Sequence, residues 1–130
     1  MTRAPRRAAS ALVAWSFAAL AASPGPAVEA ATRCGWFDNP TPGNATLIGR
    51  DAEWTVGQQG GSQASGAWPK FGASQWERTG SGGYGCACMR VRADGDSEEI
   101  SAIVSSRALP LASCRRDKAL KGREPAKLFR

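Results

Sequence analysis

An all-β domain is what this sequence predicts: a small antiparallel sheet, partly closed as a barrel or folded as a sandwich, with a short helical turn near the C-terminus. Three features carry the prediction. Beyond residue 30 no helical periodicity lasts longer than two turns. Short alternating apolar runs recur instead, separated by clusters of glycine, proline, asparagine and aspartate. The longest clean run, Gly83-Tyr84-Gly85-Cys86-Ala87-Cys88-Met89-Arg90-Val91-Arg92, holds two of the four cysteines.

In an extended strand, residues two apart share a face. Cys86, Cys88, Arg90 and Arg92 therefore fall on one side of this run, and Ala87, Met89 and Val91 on the other. A disulfide needs Cβ atoms roughly 3.5–4.5 Å apart, closer than neighbours at i and i+2 in a strand stand. Cys86 and Cys88 should therefore reach separately to Cys34 and Cys114. Two pairings satisfy this, and the spacing does not choose between them.

Ahead of the domain, Arg3, Arg6 and Arg7 precede an apolar run from Ala8 to Ala22 that Pro24 and Pro26 interrupt. Val28-Glu29-Ala30 supplies small residues at a cleavage site. Residues 1–30 read as a secretory signal, with no second hydrophobic run downstream. What remains is about 100 residues, one domain by length, of which so short a chain buries only about 60–65% of its unfolded surface. An even number of cysteines, all past the leader, suits disulfide bracing in a periplasmic or secreted protein. The competing four-thiolate zinc site fits poorly, because paired zinc ligands are usually spaced by two or more residues.

Arg33-Cys34-Gly35-Trp36-Phe37 begins the domain as a short strand, and Asp38-Asn39-Pro40-Thr41-Pro42-Gly43-Asn44 is almost wholly turn-forming. Leu47-Ile48 and Glu53-Trp54-Thr55-Val56 flank Gly49-Arg50-Asp51-Ala52 as a hairpin. Residues 57–66 form a loop rich in glycine and glutamine, and Gln75-Trp76-Glu77-Arg78 is strand-like. After the cysteine strand, Ala93-Asp94-Gly95-Asp96-Ser97 is a hairpin turn. Ile100, Ala102 and Val104 on the returning strand are expected to meet Ala87, Met89 and Val91. Cys114 to Lys121 suits a short helical turn that Gly122 stops. The β domain is bounded at residues 31–121, and residues 122–130 read as a basic, frayed tail.

The chain carries 17 Lys+Arg against 11 Asp+Glu, but the excess belongs to its ends. Residues 31–114 sum to −1, and those from Arg115 onward to +5. A basic tail of this kind is ordinarily solvated, and nothing points to nucleic acid. No histidine is present, which removes Ser-His-Asp and Cys-His catalysis and most catalytic zinc sites. Gly80-Ser81-Gly82-Gly83-Tyr84-Gly85 matches G-x-G-x-x-G by letter but precedes a strand, the wrong setting for a dinucleotide. Asp94, Asp96, Glu98 and Glu99 are explained as a solvated hairpin tip more simply than as a calcium site. No catalytic residue, metal or cofactor is assigned, and the protein is expected not to be an enzyme.

The order of Arg33-Cys34-Gly35-Trp36, Asn39-Pro40-Thr41-Pro42-Gly43-Asn44, Gln59-Gly60-Gly61, Trp68-Pro69, Tyr84-Gly85-Cys86-Ala87-Cys88, Pro110-Leu111 and Cys114-Arg115 resembles a bacterial family catalogued as domain of unknown function 4087. The resemblance spans nearly all of the sequence past the leader. It implies a small exported protein and brings no activity with it. Where the family pattern leads one to expect an aromatic residue after Asn44, this chain has Ala45-Thr46.

Aromatic side chains are the remaining lead. Trp36, Trp54, Trp68, Trp76 and Tyr84, with Gln59 and Gln63 nearby in sequence, are candidate ligand-binding residues: rings stack on sugar faces and amides bond hydroxyls. The same rings also suit a small core, and Trp68 is the one most expected at the surface. The functional expectation is a non-catalytic binding module for an envelope glycan or another ligand. The alternative is a periplasmic inhibitor of a lytic enzyme such as a lysozyme or protease, by analogy of class alone.

Overall fold

The computed structural model describes residues 2–5, 8–19 and 28–125. Residues 2–5 and 8–19 form no helix or strand, and Leu12, Val13, Trp15 and Phe17 stand exposed. The rest of the expected leader, including Arg6, Arg7, Pro24 and Pro26, and residues 126–130 of the expected tail lie outside the described residues. No described helix is long and apolar enough to cross a membrane.

Six strands make up the fold: β1 (Ala31–Thr41), β2 (Asn44–Gly49), β3 (Glu53–Gly57), β4 (Trp76–Thr79), β5 (Gly82–Asp94) and β6 (Glu99–Leu109). They form one sheet in the order β1-β2-β3-β6-β5-β4, and β1 pairs again with β5. The sheet therefore rolls into a ring of β1, β2, β3, β6 and β5, with β4 added along β5. The all-β, partly closed fold expected from the sequence is what forms, with one correction. The sheet is mixed, because β3 runs parallel to β6 at Thr55 opposite Glu99. With β4 set aside, this is the connectivity of partly open, five-stranded Greek-key barrels of the OB type.

The parallel seam is the thin side of the ring. The Thr55 N–H donates to the Glu98 carbonyl at 2.8 Å, and the loop after β3 supplies the rest. There the Ser65 N–H donates to Ser101 at 3.0 Å, and the Ile103 N–H donates to Ser65 at 2.7 Å. Gly66 follows at φ +93°, and a Cβ at this position would run into the Ile103 carbonyl.

β5 is the spine of the ring. One edge pairs with β1 from Gly83 to Val91; the other pairs first with β4 and then with β6. The β1 register sets Cys34 opposite Cys88 and Trp36 opposite Cys86. That register selects the pairing: Cys34–Cys88 with Cα atoms 4.1 Å apart, and Cys86–Cys114 at 5.7 Å. Period-two alternation then gives β5 two buried faces. Ala87, Met89 and Val91 join Phe37, Leu47, Trp54, Val56, Ile100 and Ile103 inside the ring. Tyr84 and Cys86 lie outside it with Trp36, Ile48, Cys114 and Leu120.

The C-terminal segment covers that outer cluster. Helix α1 (Leu111–Arg115) and a 3-10 turn at Lys118–Leu120 bring in Cys114 and Leu120, and Asp117 Oδ1 accepts the Ala119 N–H at 2.9 Å. Gly122 ends the turn at φ +79°, as its sequence position suggested. Residues 122–125 pack back on the domain. Arg123 Nη1 donates to the Gly49 carbonyl at 2.5 Å, Arg115 Nε donates to Glu124 Oε1 at 2.6 Å, and Pro125 is fully buried.

Two local expectations are also corrected. Strand β1 continues through Asp38-Asn39-Pro40-Thr41, because its β5 pairing runs on to Asn39 opposite Gly83. Its register with β2 breaks between Asp38 and Thr41, where a proline lacking an N–H is tolerated. The turn itself shrinks to Pro42-Gly43, with Gly43 at φ +83°. On β6, irregularities opposite Arg90/Val91 and Arg92/Ala93 insert Val104 and Ser101 as extra residues. These bulges reset the alternation. Ile103, not Val104, faces Val91 and is buried, while Val104 is 49% exposed.

Candidate ligand-binding site

The alternation that divides the two clusters also sorts the aromatic residues. Trp36 and Tyr84, each 1% exposed, pack edge to face with ring centroids 5.4 Å apart beneath the C-terminal segment. Tyr84 Oη donates to Glu124 Oε2 at 3.3 Å; burial, and then the Glu124 charge, push its pKa up. The hydrogen bond to Glu124 in turn raises the pKa of Arg115. Trp54 is buried in the ring, with the Arg33 guanidinium carbon 3.9 Å from its ring centroid. These three rings are mostly taken up by packing, although Trp36 edges a cleft of about 290 Å³ beside Leu120 and Glu124, and Trp54 edges one of about 280 Å³ beside Arg33 and Asp51.

Gln63 is likewise committed to the fold: Nε2 donates to the carbonyls of Gly43 and Gln58, each at 2.9 Å. The Gln59 N–H donates to Asn44 Oδ1 at 2.8 Å, while its side chain is exposed beside Gly43. Both residues tie the loop after β3 to the β1–β2 turn. Neither lines the clefts described next.

Trp68 and Trp76 are the half-buried pair, and the fold brings them to the same end of the ring. Trp68 meets Phe37 edge to face at 5.8 Å, Phe37 meets Phe71 at 5.8 Å, and Phe71 meets Trp76 at 4.9 Å. Trp68 is anchored in the core by this chain of rings and is less exposed than its loop position suggested. Two glycines on β5 make room for the far end of the chain. A Cβ at Gly83 would stand 2.5 Å from Trp76 Nε1, and one at Gly85 would strike the Phe71 ring. Glycines two apart on one strand face are therefore the sequence signal for this aromatic shelf, and it is the run that matched a dinucleotide motif by letter.

Trp76 separates two open clefts. One, of about 520 Å³, is lined by Phe71, Gly72, Ala73, Trp76 and Arg78. The other, of about 260 Å³, is lined by Asn39, Pro42, Trp76, Arg78, Ser81 and Gly82. Arg78 is exposed and forms no ion pair among the described residues. Asn39 Oδ1 is buried and accepts no hydrogen bond from the described residues. A buried acceptor left alone costs about 1–3 kcal/mol, so this oxygen calls for a donor. The arrangement sets an aromatic face and a cation side by side, with the Asn39 side chain at the edge of the smaller cleft. Of these, the sequence indicated only Trp76; Phe71, Arg78 and Asn39 become visible once the strands are registered.

Among the described residues no group of three or more acidic or cysteine side chains is placed to hold a metal ion. Asp38, on the outer face of β1, has its pKa raised by burial and then by the neighbouring Glu53 charge. Among known proteins, the family model described as "Protein of unknown function (DUF4087)" matches residues 28–121. No curated protein and no solved structure matches the chain.

Proposed function

This chain belongs to the DUF4087 family of proteins of unknown function, and on that footing we propose that it is an exported, non-catalytic binding module for an envelope glycan. The observation that carries the reading is Trp76, set between two clefts with Arg78 and the unpartnered Asn39 Oδ1 beside it. An indole face accepts the apolar face of a pyranose, the Asn39 side chain at the edge of the smaller cleft bonds a sugar hydroxyl or acetamido group once its amide turns outward, and Arg78 donates to ring or carboxylate oxygens. Two disulfides fit a compartment outside the reducing cytoplasm, where such glycans lie. The OB-type connectivity adds a fold-level analogy, since barrels of that kind present oligosaccharides and oligonucleotides to a sheet face.

Titration of the oxidised protein with muropeptides and chitooligosaccharides, followed by tryptophan fluorescence, tests this. A saturable change is expected, weakened about tenfold by Trp76→Ala, the equivalent of about 1.4 kcal/mol. Gln59→Ala should leave the curve in place. A flat response across the panel, or a response that survives Trp76→Ala, would remove the reading.

The second reading, an inhibitor of a lytic enzyme, draws on the β5–β6 tip. Asp94, Asp96, Glu98 and Glu99 project there, with Glu98 held at φ +54°. An exposed acidic turn of this kind would enter a cationic cleft. Unchanged lysozyme and protease rates at micromolar protein would dismiss it.

A further inference from the structure

Among the described residues, the outer face of the sheet is covered at one end. The C-terminal segment lies over Trp36, Ile48, Tyr84 and Cys86, and along β5 the next outward residues are Cys88, Arg90 and Arg92. On β6, Arg107 stands opposite Cys88, and Ser105 opposite Arg90. Alternate residues on a strand are about 6.6 Å apart and adjacent strands about 4.8 Å, so the three guanidinium groups rise from one small patch. Arg90, Arg92 and Arg107 are all exposed, and none forms an ion pair among the described residues. Asp94 comes next on this face, but its Oδ1 accepts the Asp96 N–H at 2.9 Å and stays with the hairpin tip.

The bulge on β6 adds an apolar member. Val104, inserted between Ile103 and Ser105, is the one exposed large hydrophobic residue among described positions 31–125. A solvated face needs neither three arginines unpaired among the described residues on adjacent strands nor an exposed apolar side chain on one of those strands. A bilayer surface rewards both, since guanidinium groups pair with headgroup phosphates and an aliphatic side chain enters the interface. A single-stranded nucleic acid would want exposed rings for its bases, and no aromatic residue lies on this part of β5 or β6.

We propose that Arg90, Arg92 and Arg107, with Val104, form a docking face for an anionic lipid surface. This face lies apart from the Trp76 clefts, so the protein would rest on a membrane with its ligand site free. The inference does not depend on which ligand that site takes.

Co-sedimentation with phosphatidylcholine vesicles, with and without phosphatidylglycerol, tests it on the oxidised protein. Binding is expected only to the anionic vesicles and should fall away at about 0.5 M salt, where charges are screened within a few ångströms. Each basic residue contributes about fivefold, so Arg90→Gln/Arg92→Gln/Arg107→Gln should weaken partitioning roughly a hundredfold. The corresponding triple lysine variant should retain most of it. Should the triple glutamine variant fail to fold, Arg90→Gln alone should cost about fivefold. As a comparator, Arg116→Gln/Lys118→Gln/Lys121→Gln, on the C-terminal segment, should lose far less. Equal binding to neutral vesicles, an unaffected triple glutamine variant, an equal loss in the comparator, or tighter binding to duplex DNA than to anionic vesicles would each overturn the proposal.

Discussion

Replacing Cys86 and Cys114 by alanine should cost about 3.6 kcal/mol of folding stability. The bridge closes a loop with a sequence separation of 28, and the chain-entropy relation gives that figure for the freedom returned to the unfolded chain. The same relation gives about 4.2 kcal/mol for Cys34–Cys88, whose separation is 54. Two opposing effects bear on the Cys86–Cys114 value. Both sulfurs are buried beside Trp36 and Leu120, so their loss also leaves a small void, which adds to the cost. Against this, Leu120, Arg123 and Pro125 still hold the segment in place, so the native state need not open. Urea unfolding, followed by tryptophan emission and far-ultraviolet circular dichroism, measures the difference. The variant should show a lower midpoint and a steeper denaturant dependence, because its unfolded state exposes more surface. A loss below about 1 kcal/mol with an unchanged slope would refute the idea that this bridge acts by restraining the unfolded chain.

Other consequences follow from single residues. Gly66→Ala combines a positive φ with a collision at the Ile103 carbonyl, so it should cost about 2–3 kcal/mol in the same unfolding assay and loosen hydrogen-exchange protection along β6. The folded pKa of Asp38 lies above its ordinary 3.8, so the associated stability is full below that value and is lost as pH rises through the folded pKa. Asp38→Asn should therefore raise the urea midpoint at pH 7 and leave it unchanged at pH 3. Tyr84 obeys the same sign at the alkaline end, with stability full below pH 10.0 and falling as pH climbs through its raised value. Tyr84→Phe should flatten that alkaline loss, as read from melting temperature against pH.

Much of the fold was legible because alternation and turn chemistry are local. A hairpin forms close to where residues 93–97 suggest one, with the turn itself at 95–98 because Ala93 and Asp94 still pair with β6, and residues 49–52 do the same for β2 and β3. Cys86 and Cys88 could be kept from pairing with each other on spacing alone. Choosing their partners required the β1–β5 register, a long-range property that places Cys34 and not Trp36 opposite Cys88. The exposure of Val104 was hidden for a similar reason. A bulge adds a residue without leaving any mark in the apolar pattern, and the alternation is then counted wrongly from Ile100 onward.

The site was read less well than the frame. Aromatic content pointed to tryptophan as a class, but a ring on the outer face becomes core once a disulfide pulls the C-terminal segment across it, as happened to Trp36 and Tyr84. Trp76 stayed accessible because β4 sits beside the ring and Gly83 and Gly85 leave room for the indole and for Phe71. Asn39 entered the site only because β1 ran further than its prolines suggested.

The most direct test of the account is the location of the crosslinks, since the register of β5 with β1 decides both clusters. Only Ala87 separates the two inner cysteines, and the tryptic peptide from Thr79 to Arg90 contains both, so digestion alone cannot separate the pairings. Electron-transfer fragmentation of the non-reduced digest, which cuts between residues 86 and 88, can. Cys34 joined to Cys88 and Cys86 joined to Cys114 is the expected result. Finding Cys34 on Cys86, or free thiols in the folded protein, would contradict it.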